Sequence, residues 1–251
     1  AQDVTDIERV EVMRRDFVAN VSHELRTPIT VLAGYLEAYH DMLDPEPAAF
    51  RQHMAVMQEQ TARMRRLLDD LLALARLEGD PAVQDDRVDM CELAARLVDD
   101  ARTLSQGRHT IGLACETDAC LRGSAQELHS ALGNLVVNAV RYTPDGGRID
   151  VAWRASGHGG AEFVVTDTGE GIEAKHISRL TERFYRVDRG RSRATGGTGL
   201  GLAIVKHVLQ RHQGHLRIDS TLGKGSRFTA LFPAERVMPA SAAARRAPDG
   251  P

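Results

Sequence analysis

Cysteine is scarce in this chain, with three (Cys91, Cys115 and Cys120) in 251 residues. That number and their irregular spacing exclude a disulfide framework and a zinc site. The reading is a reducing, intracellular setting with free thiols, including Cys115 and Cys120, which a hairpin could otherwise bring together. Long hydrophobic runs are also missing. No stretch reaches the ~18 consecutive apolar residues that a membrane-spanning helix needs, and no secretory signal opens the sequence. An excess of one charge is lacking too. Lys and Arg total 32 against 35 Asp and Glu, for a formal net charge of −3, which argues against a nucleic-acid partner. The first residue is Ala1, already inside a helical pattern, so the sequence reads as part of a longer protein. Any membrane attachment is expected only through an N-terminal region outside it. What is present is ordinary for a globular protein: 42% hydrophobic and 27% charged residues. The length suits one or two domains with a real core.

Glycine is absent from the first 77 residues except for Gly34. Apolar residues there step by three or four: Phe17, Val21, Leu25, Pro28, Leu32, Tyr35. A second run, Phe50, Met54, Met57, Thr61, Met64, Leu68, Leu71, Ala75, alternates four and three without a break. That is a heptad seam. Asp44-Pro45-Glu46-Pro47 separates the runs, so a long antiparallel helical hairpin is expected, paired with a second copy as a four-helix bundle. Arg63, Arg65 and Arg66 are expected on its solvent face. Residues 1–80 form this domain. A linker near 78–88 is expected to act as a hinge.

From about residue 88 helix and strand mix. Asp89 and Ser124 are expected helix N-caps. Strands are expected at 111–115, 120–122, 148–153, 162–166, 215–220 and 226–232, with helices through 104, 124–140, 174–179 and 200–211. Trp153 reads as core. His207, His212 and His215 read as surface histidines and not a metal cluster. Residues 81–236 form this second domain, and 237–251 read as a disordered tail.

The sequence Ser22-His23-Glu24-Leu25-Arg26-Thr27-Pro28 carries the first candidate chemistry. His23 lies about 200° around the helix from Val21 and from Leu25, and so points to solvent. A neutral imidazole is a competent nucleophile near pH 7. Glu24 can take its remaining ring proton. Thr27, one turn on, could orient a water. Pro28 should bend the helix. By itself the segment reads equally as an ordinary solvated helix face.

Three further segments suggest a nucleotide pocket. Asn134 and Asn138, four apart on a helix, offer neutral oxygens that suit Mg²⁺, and Arg141 could neutralise phosphate. Asp167, at a strand end, could accept from an exocyclic amine, with Gly169 and Gly171 letting backbone approach a base. Gly196-Gly197-Thr198-Gly199-Leu200-Gly201-Leu202 precedes a helix and could hold phosphate. No Lys follows as in a P-loop, and the spacing is not a dinucleotide fingerprint. Arg186, Arg189, Arg191 and Arg193 lie between the last two segments.

Taken together, these stretches resemble the sensor histidine kinases of two-component systems. Residues 17–28 are similar to the H-box, 134–142 to the N-box, 167–172 and 197–202 to the two glycine boxes, and 182–186 to the F-box. Met13–Phe17, Leu32–Glu37 and Arg179–Asp188 look closest to the phosphate-regulon branch of that family. The resemblance implies an α+β protein: a dimeric four-helix bundle from the hairpin, then a Bergerat-type (GHKL) α/β sandwich that binds ATP and Mg²⁺. It implies His23 as phosphoacceptor, Glu24 as general base and Thr27 as positioner of a hydrolytic water. Asn134 and Asn138 would hold Mg²⁺, with Arg141 and Tyr142 near the nucleotide. Asp167 would read adenine beside Gly169, Gly171 and Ile172. Tyr185, Arg186 and the loop through Gly197 would form a lid, with Thr198, Gly199, Leu200, Gly201 and Leu202 at the phosphates. Expected partners are a second copy and a response regulator, with 33–37 and 53–60 as the surface for partner choice. The parent would be an inner-membrane protein with this part in the cytoplasm. An ATP-binding pseudokinase or an ATPase acting as a scaffold is the alternative.

Overall fold

The computed structural model describes residues 2–40, 47–79, 84–187 and 197–239. Chain contacts divide it into two compact units: residues 1–73 with 188–200, and residues 74–187 with 201–251.

The first unit is built on two long helices, α1 (Gln2–His40) and α2 (Pro47–Gly79), whose last turns from Leu74 fall in the second unit. The stripe expected on α1 turns inward: Phe17, Val21, Leu25, Leu32 and Tyr35 are half-buried and Pro28 is buried. The α1 helix continues through Pro28. On α2 the expected seam is only partly covered. Met57, Met64 and Leu71 are half-buried while Phe50, Met54, Thr61, Leu68 and Ala75 stay exposed, and the stripe one residue earlier, Val56, Gln60, Arg63 and Leu67, turns inward. Arg63, expected in solvent, is 9% exposed. Its guanidinium gives the reason: Nη2 donates to Glu24 Oε2 at 2.6 Å.

The second unit continues with β1 (Asp86–Asp89), α3 (Met90–Ser105), β2 (Thr110–Cys115), β3 (Cys120–Gly123), α4 (Ala125–Tyr142), β4 (Arg148–Ala155) and β5 (Ala161–Asp167). Then follow α5 (Ala174–Ile177), α6 (Gly201–Arg211), β6 (His215–Thr221), β7 (Gly225–Phe232) and β8 (Val237–Met238). The expected caps form: Asp89 accepts from the Glu92 amide and Ser124 from the Glu127 amide.

The main sheet has the order β2-β4-β5-β7-β6, antiparallel except for the parallel β2–β4 pair. Alternation along the strands puts Ile149, Val151, Trp153, Phe163, Val165, Phe228 and Phe232 on one buried face. The α3, α4 and α6 helices supply the other half of the core through Leu93, Leu97, Leu132, Leu135, Ile204 and Val208. Trp153 is fully buried, as expected, and its indole donates to the Ala119 carbonyl at 2.9 Å.

A second sheet, β1-β3-β8, lay outside the sequence reading. Part of the expected linker is therefore strand, and the expected tail begins with two paired residues, Met238 with Cys120 and Val237 with Leu121. His212 also departs from expectation and is 1% exposed. Its Nδ1 bonds the Val208 carbonyl at 2.8 Å, and its Nε2 accepts from the Ser124 amide at 3.1 Å. Those bonds fix the neutral tautomer, and burial holds its pKa below the usual histidine value. No group of three or more possible metal ligands occurs among the described residues.

Candidate functional site

The first unit presents an exposed imidazole. His23 and Thr27 are exposed on one face of α1, and Thr27 Oγ1 donates to the His23 carbonyl at 3.4 Å. Glu24 turns toward α2, where Arg63 holds it. The same unit contains Gly197–Leu200. Thr198 Oγ1 donates to Asp70 Oδ2 of α2 at 2.6 Å and accepts from the Leu200 amide at 3.3 Å. Nearer the hairpin's closed end, Tyr39 Oη and His53 Nδ1 are 2.6 Å apart, and the Tyr35 and His53 rings lie 4.7 Å apart. These join the two stretches expected to choose a partner.

Apart from Gly197–Leu200, the nucleotide candidates belong to the second unit, with Asp167 at one end of its main sheet. Register brings Asp167 opposite Ile149 at the start of β4 and Ser226 at the start of β7. Asp167 is 5% exposed. Its Oδ1 accepts from the Gly169 amide at 2.8 Å and the Ser226 amide at 3.2 Å. Burial raises its pKa, and the two amides oppose that shift. Among the described residues no donor is assigned to Oδ2, so that oxygen can take an incoming N–H.

The loop after Asp167 fits only glycine in two places. A Cβ on Gly169 would stand 2.4 Å from the Tyr142 carbonyl oxygen. At Gly171 φ is +69°, and a Cβ would stand 2.0 Å from the Thr221 carbonyl oxygen. The loop is tied on both sides. The Glu170 amide donates to Tyr142 at the end of α4 at 3.3 Å, and Ile172 donates to Ser220 Oγ at 2.8 Å. The Gly223 amide closes on the Glu170 carbonyl at 2.6 Å.

Asn134 and Asn138 share one half-buried face of α4, as their spacing requires. Asn134 Nδ2 donates to the Ser130 carbonyl at 2.9 Å, which turns Oδ1 outward. A Cβ on Gly201 would lie 2.5 Å from that Oδ1, so the first turn of α6 approaches Asn134 closely. A neutral oxygen beside a helix N-terminus suits a phosphate with its cation. Arg141 is half-buried and Tyr142 exposed. Tyr185 Oη lies 2.6 Å from His176 Nδ1, with the Arg179 guanidinium 4.3 Å from the ring centre, while Arg186 and Leu202 are half-buried. Arg189, Arg191, Arg193 and Gly196 lie outside the described residues.

Residues 13–80 match the His Kinase A (phospho-acceptor) domain, and residues 123–236 match the histidine kinase-, DNA gyrase B- and HSP90-like ATPase family. The mycobacterial sensor histidine kinase MprB is 31% identical in a structure of which this chain covers 97% (TM-score 0.53, 59% of this chain). This chain belongs to the histidine kinases. It is 51% identical over 249 residues to the phosphate regulon sensor protein PhoR of Pseudomonas aeruginosa, covering 98% of this chain and 55% of that one. It is 40% identical over 238 residues to PhoR of Haemophilus influenzae, covering 95% and 56%. The chain thus spans just over half the length of these relatives. A structure of the histidine kinase ThkA in complex with response regulator protein TrrA has the same fold, with TM-score 0.70 at 19% identity over 90% of this chain and 63% of that one. No described helix is long and apolar enough to cross a membrane.

Sequence reasoning missed Arg63, Asp70, Ser220 and Ser226. A charged residue on an amphipathic helix gives no local sign that it will pair across the hairpin. The serines flank a glycine turn that reads as an ordinary hairpin. Only the sheet register brings that turn against the Asp167 loop.

Proposed function

We propose that this chain is the catalytic core of an ATP-dependent protein-histidine kinase that labels itself on His23. The observation carrying this reading is the buried Asp167, with one oxygen fixed by two amides and the other free for a donor, in the same chain as the exposed His23. Asp167 accepts the adenine amino group, and Gly169, Gly171 and Ile172 give the base a close backbone wall. Asn134 and Asn138 would hold Mg²⁺, which would neutralise phosphate charge. Arg141, Tyr142, Tyr185, Arg186, Gly201 and Leu202 enclose the nucleotide. A ring nitrogen of His23 attacks the γ-phosphorus as the bond to the ADP oxygen breaks, and Glu24 takes the other ring proton. Positioning and charge neutralisation supply most of the rate.

The phosphoryl group then passes to an aspartate of a response regulator, and Thr27 orients water when the core acts as that regulator's phosphatase. The identity to two phosphate-regulon sensors supports a role in phosphate-starvation signalling. The core works as a homodimer, with 1–80 as the dimerisation and phosphotransfer domain and 81–236 as the ATP domain. Its parent sits in the bacterial inner membrane, with this part in the cytoplasm.

The test is incubation with γ-labelled ATP and Mg²⁺. Acid-labile label on the wild type, absent from His23→Ala, is the expected result. A wild type that binds ATP yet takes no label, or a His23→Ala chain that labels equally, would overturn it.

A further inference from the structure

The Cys91 and Cys115 thiols belong to none of the machinery above. Cys115 ends β2 with the parity of Ile111 and Leu113, so it faces the helical layer. Cys91 stands in the first turn of α3, which packs on β2. Its Sγ donates to the Thr117 carbonyl at 3.3 Å, two residues beyond Cys115, which sets it beside the end of β2, and the Cys115 thiol is among the groups that raise its pKa. Cys115 is exposed and Cys91 half-exposed, whereas Cys120 is buried. Cys115 and Cys120 do not face each other across a hairpin, because β2 pairs with β4 while β3 pairs with β1 and β8.

We propose that Cys91 and Cys115 form a reversible intramolecular disulfide when the protein meets a peroxide. The exposed Cys115 sulfur attacks one peroxide oxygen. An S–O bond forms, the O–O bond breaks, and the departing oxygen leaves as water with the thiol's proton. The Cys91 sulfur then attacks the resulting sulfenic acid. The S–S bond forms as the S–O bond breaks, and the hydroxyl leaves as a second water with the Cys91 proton. Each sulfur is oxidised by one electron and the peroxide is reduced by two. Burial and the neighbouring thiol and carboxylates push the Cys91 thiol up to about 12. The accessible Cys115 therefore takes the oxidant, and the more shielded, less nucleophilic Cys91 follows as the resolving thiol.

The placement sets the consequence. In the main sheet β2 is an edge strand held only by β4. A bond to α3 would staple that edge. Cys115 registers with Trp153 and Asp167 with Ile149, four residues along β4, or about 13 Å. The disulfide is thus a stabilising modification at the end of the sheet away from the nucleotide loop.

The test treats the full chain with a small excess of hydrogen peroxide, then alkylates it under denaturing conditions and maps the peptides. The expected product is a Cys91–Cys115 cross-linked peptide two hydrogens lighter, with only Cys120 alkylated and full reversal by dithiothreitol. Its thermal midpoint should rise by a few degrees with ATP affinity unchanged. In Cys91→Ser a sulfenic acid should persist on Cys115 and react with dimedone, and Cys115→Ser should give no oxidised product. Wild-type protein that accumulates the Cys115 sulfenic acid without a disulfide, that cross-links between chains, or that joins Cys115 to Cys120 would overturn the proposal.

Discussion

Burial raises the carboxyl pKa of Asp167 above the ordinary aspartate value, and the sign of that shift decides what a substitution does. A folded-state pKa raised above the unfolded value contributes stability at low pH and loses it as pH rises through the folded pKa. At neutral pH the ionised Asp167 therefore lowers the stability of its domain. Asp167→Asn keeps an oxygen for the Gly169 and Ser226 amides and puts an NH₂ where Oδ2 was. That NH₂ meets the adenine amino group donor to donor. Calorimetric titration should show ATP affinity about 10- to 100-fold weaker, the loss of a hydrogen bond to a charged group at ~1.5–3 kcal/mol. The unfolding midpoint should be no lower than that of the wild type. Arg63 is the opposite case, because its removal takes a close ion-pair partner from Glu24. With side chains 11% and 26% exposed, Arg63 and Glu24 are mostly shielded from water. Arg63→Met should destabilise the hairpin by about 1–3 kcal/mol in urea unfolding. It should also slow His23 labelling about tenfold, since a misplaced base loses rate steeply with distance. Labelling at the wild-type rate would mean that Arg63 has no part in placing Glu24.

The junction of β3, α4 and α6 turns on His212. Burial lowers its pKa from the ordinary histidine value of about 6.5. Above 6.5 the imidazole is neutral in both states and contributes no pH dependence. Below it the unfolded chain takes up the proton first, so stability falls as pH drops through 6.5 toward the folded pKa. Protonation also removes the lone pair that accepts from the Ser124 amide at the N-cap of α4. Unfolding midpoints measured between pH 8 and 5 should drop in the wild type, and His212→Gln should flatten the part due to this group. A profile unchanged by the substitution would assign the drop elsewhere. The Ser124 cap itself was legible, because Ser with Glu three residues on is a local pattern. His212 was not, since its burial depends on β3: a Cβ at Gly123 would stand 2.4 Å from the ring. Element type followed from periodicity at α3, α4, β5 and β7. The strands β1 and β8 escaped because pairs of four and two residues are too short for a period to register. The candidate site divides the same way. Asp167 and the Asn134–Asn138 pair could be read from neighbours in sequence, while Ser220 and Ser226 required the sheet register.

At the scale of the molecule, the offset on α2 becomes informative. A single hairpin covers Leu67 and leaves Leu68 at 49% and Leu72 at 56% exposure, with Phe50 and Met54 also uncovered. On α1, Val18, Ile29 and Leu36 are exposed as well. One apolar stripe on a helix closes an antiparallel pair, and a second stripe one residue out of phase calls for another surface. In the proposed homodimer a second copy supplies it by two-fold symmetry, where each substitution counts twice. Burying a leucine side chain is worth ~1.5–3 kcal/mol, so Leu68→Glu should remove ~3–6 kcal/mol or more from a symmetric dimer. Sedimentation should find the wild type dimeric and Leu68→Glu monomeric at micromolar concentration. The same variant should keep its ATP affinity, because Asp167, Asn134 and Asn138 belong to the other unit. A Leu68→Glu chain that sediments as a dimer would remove this seam from the interface, and one that loses ATP affinity would show that the substitution disturbs more than the bundle.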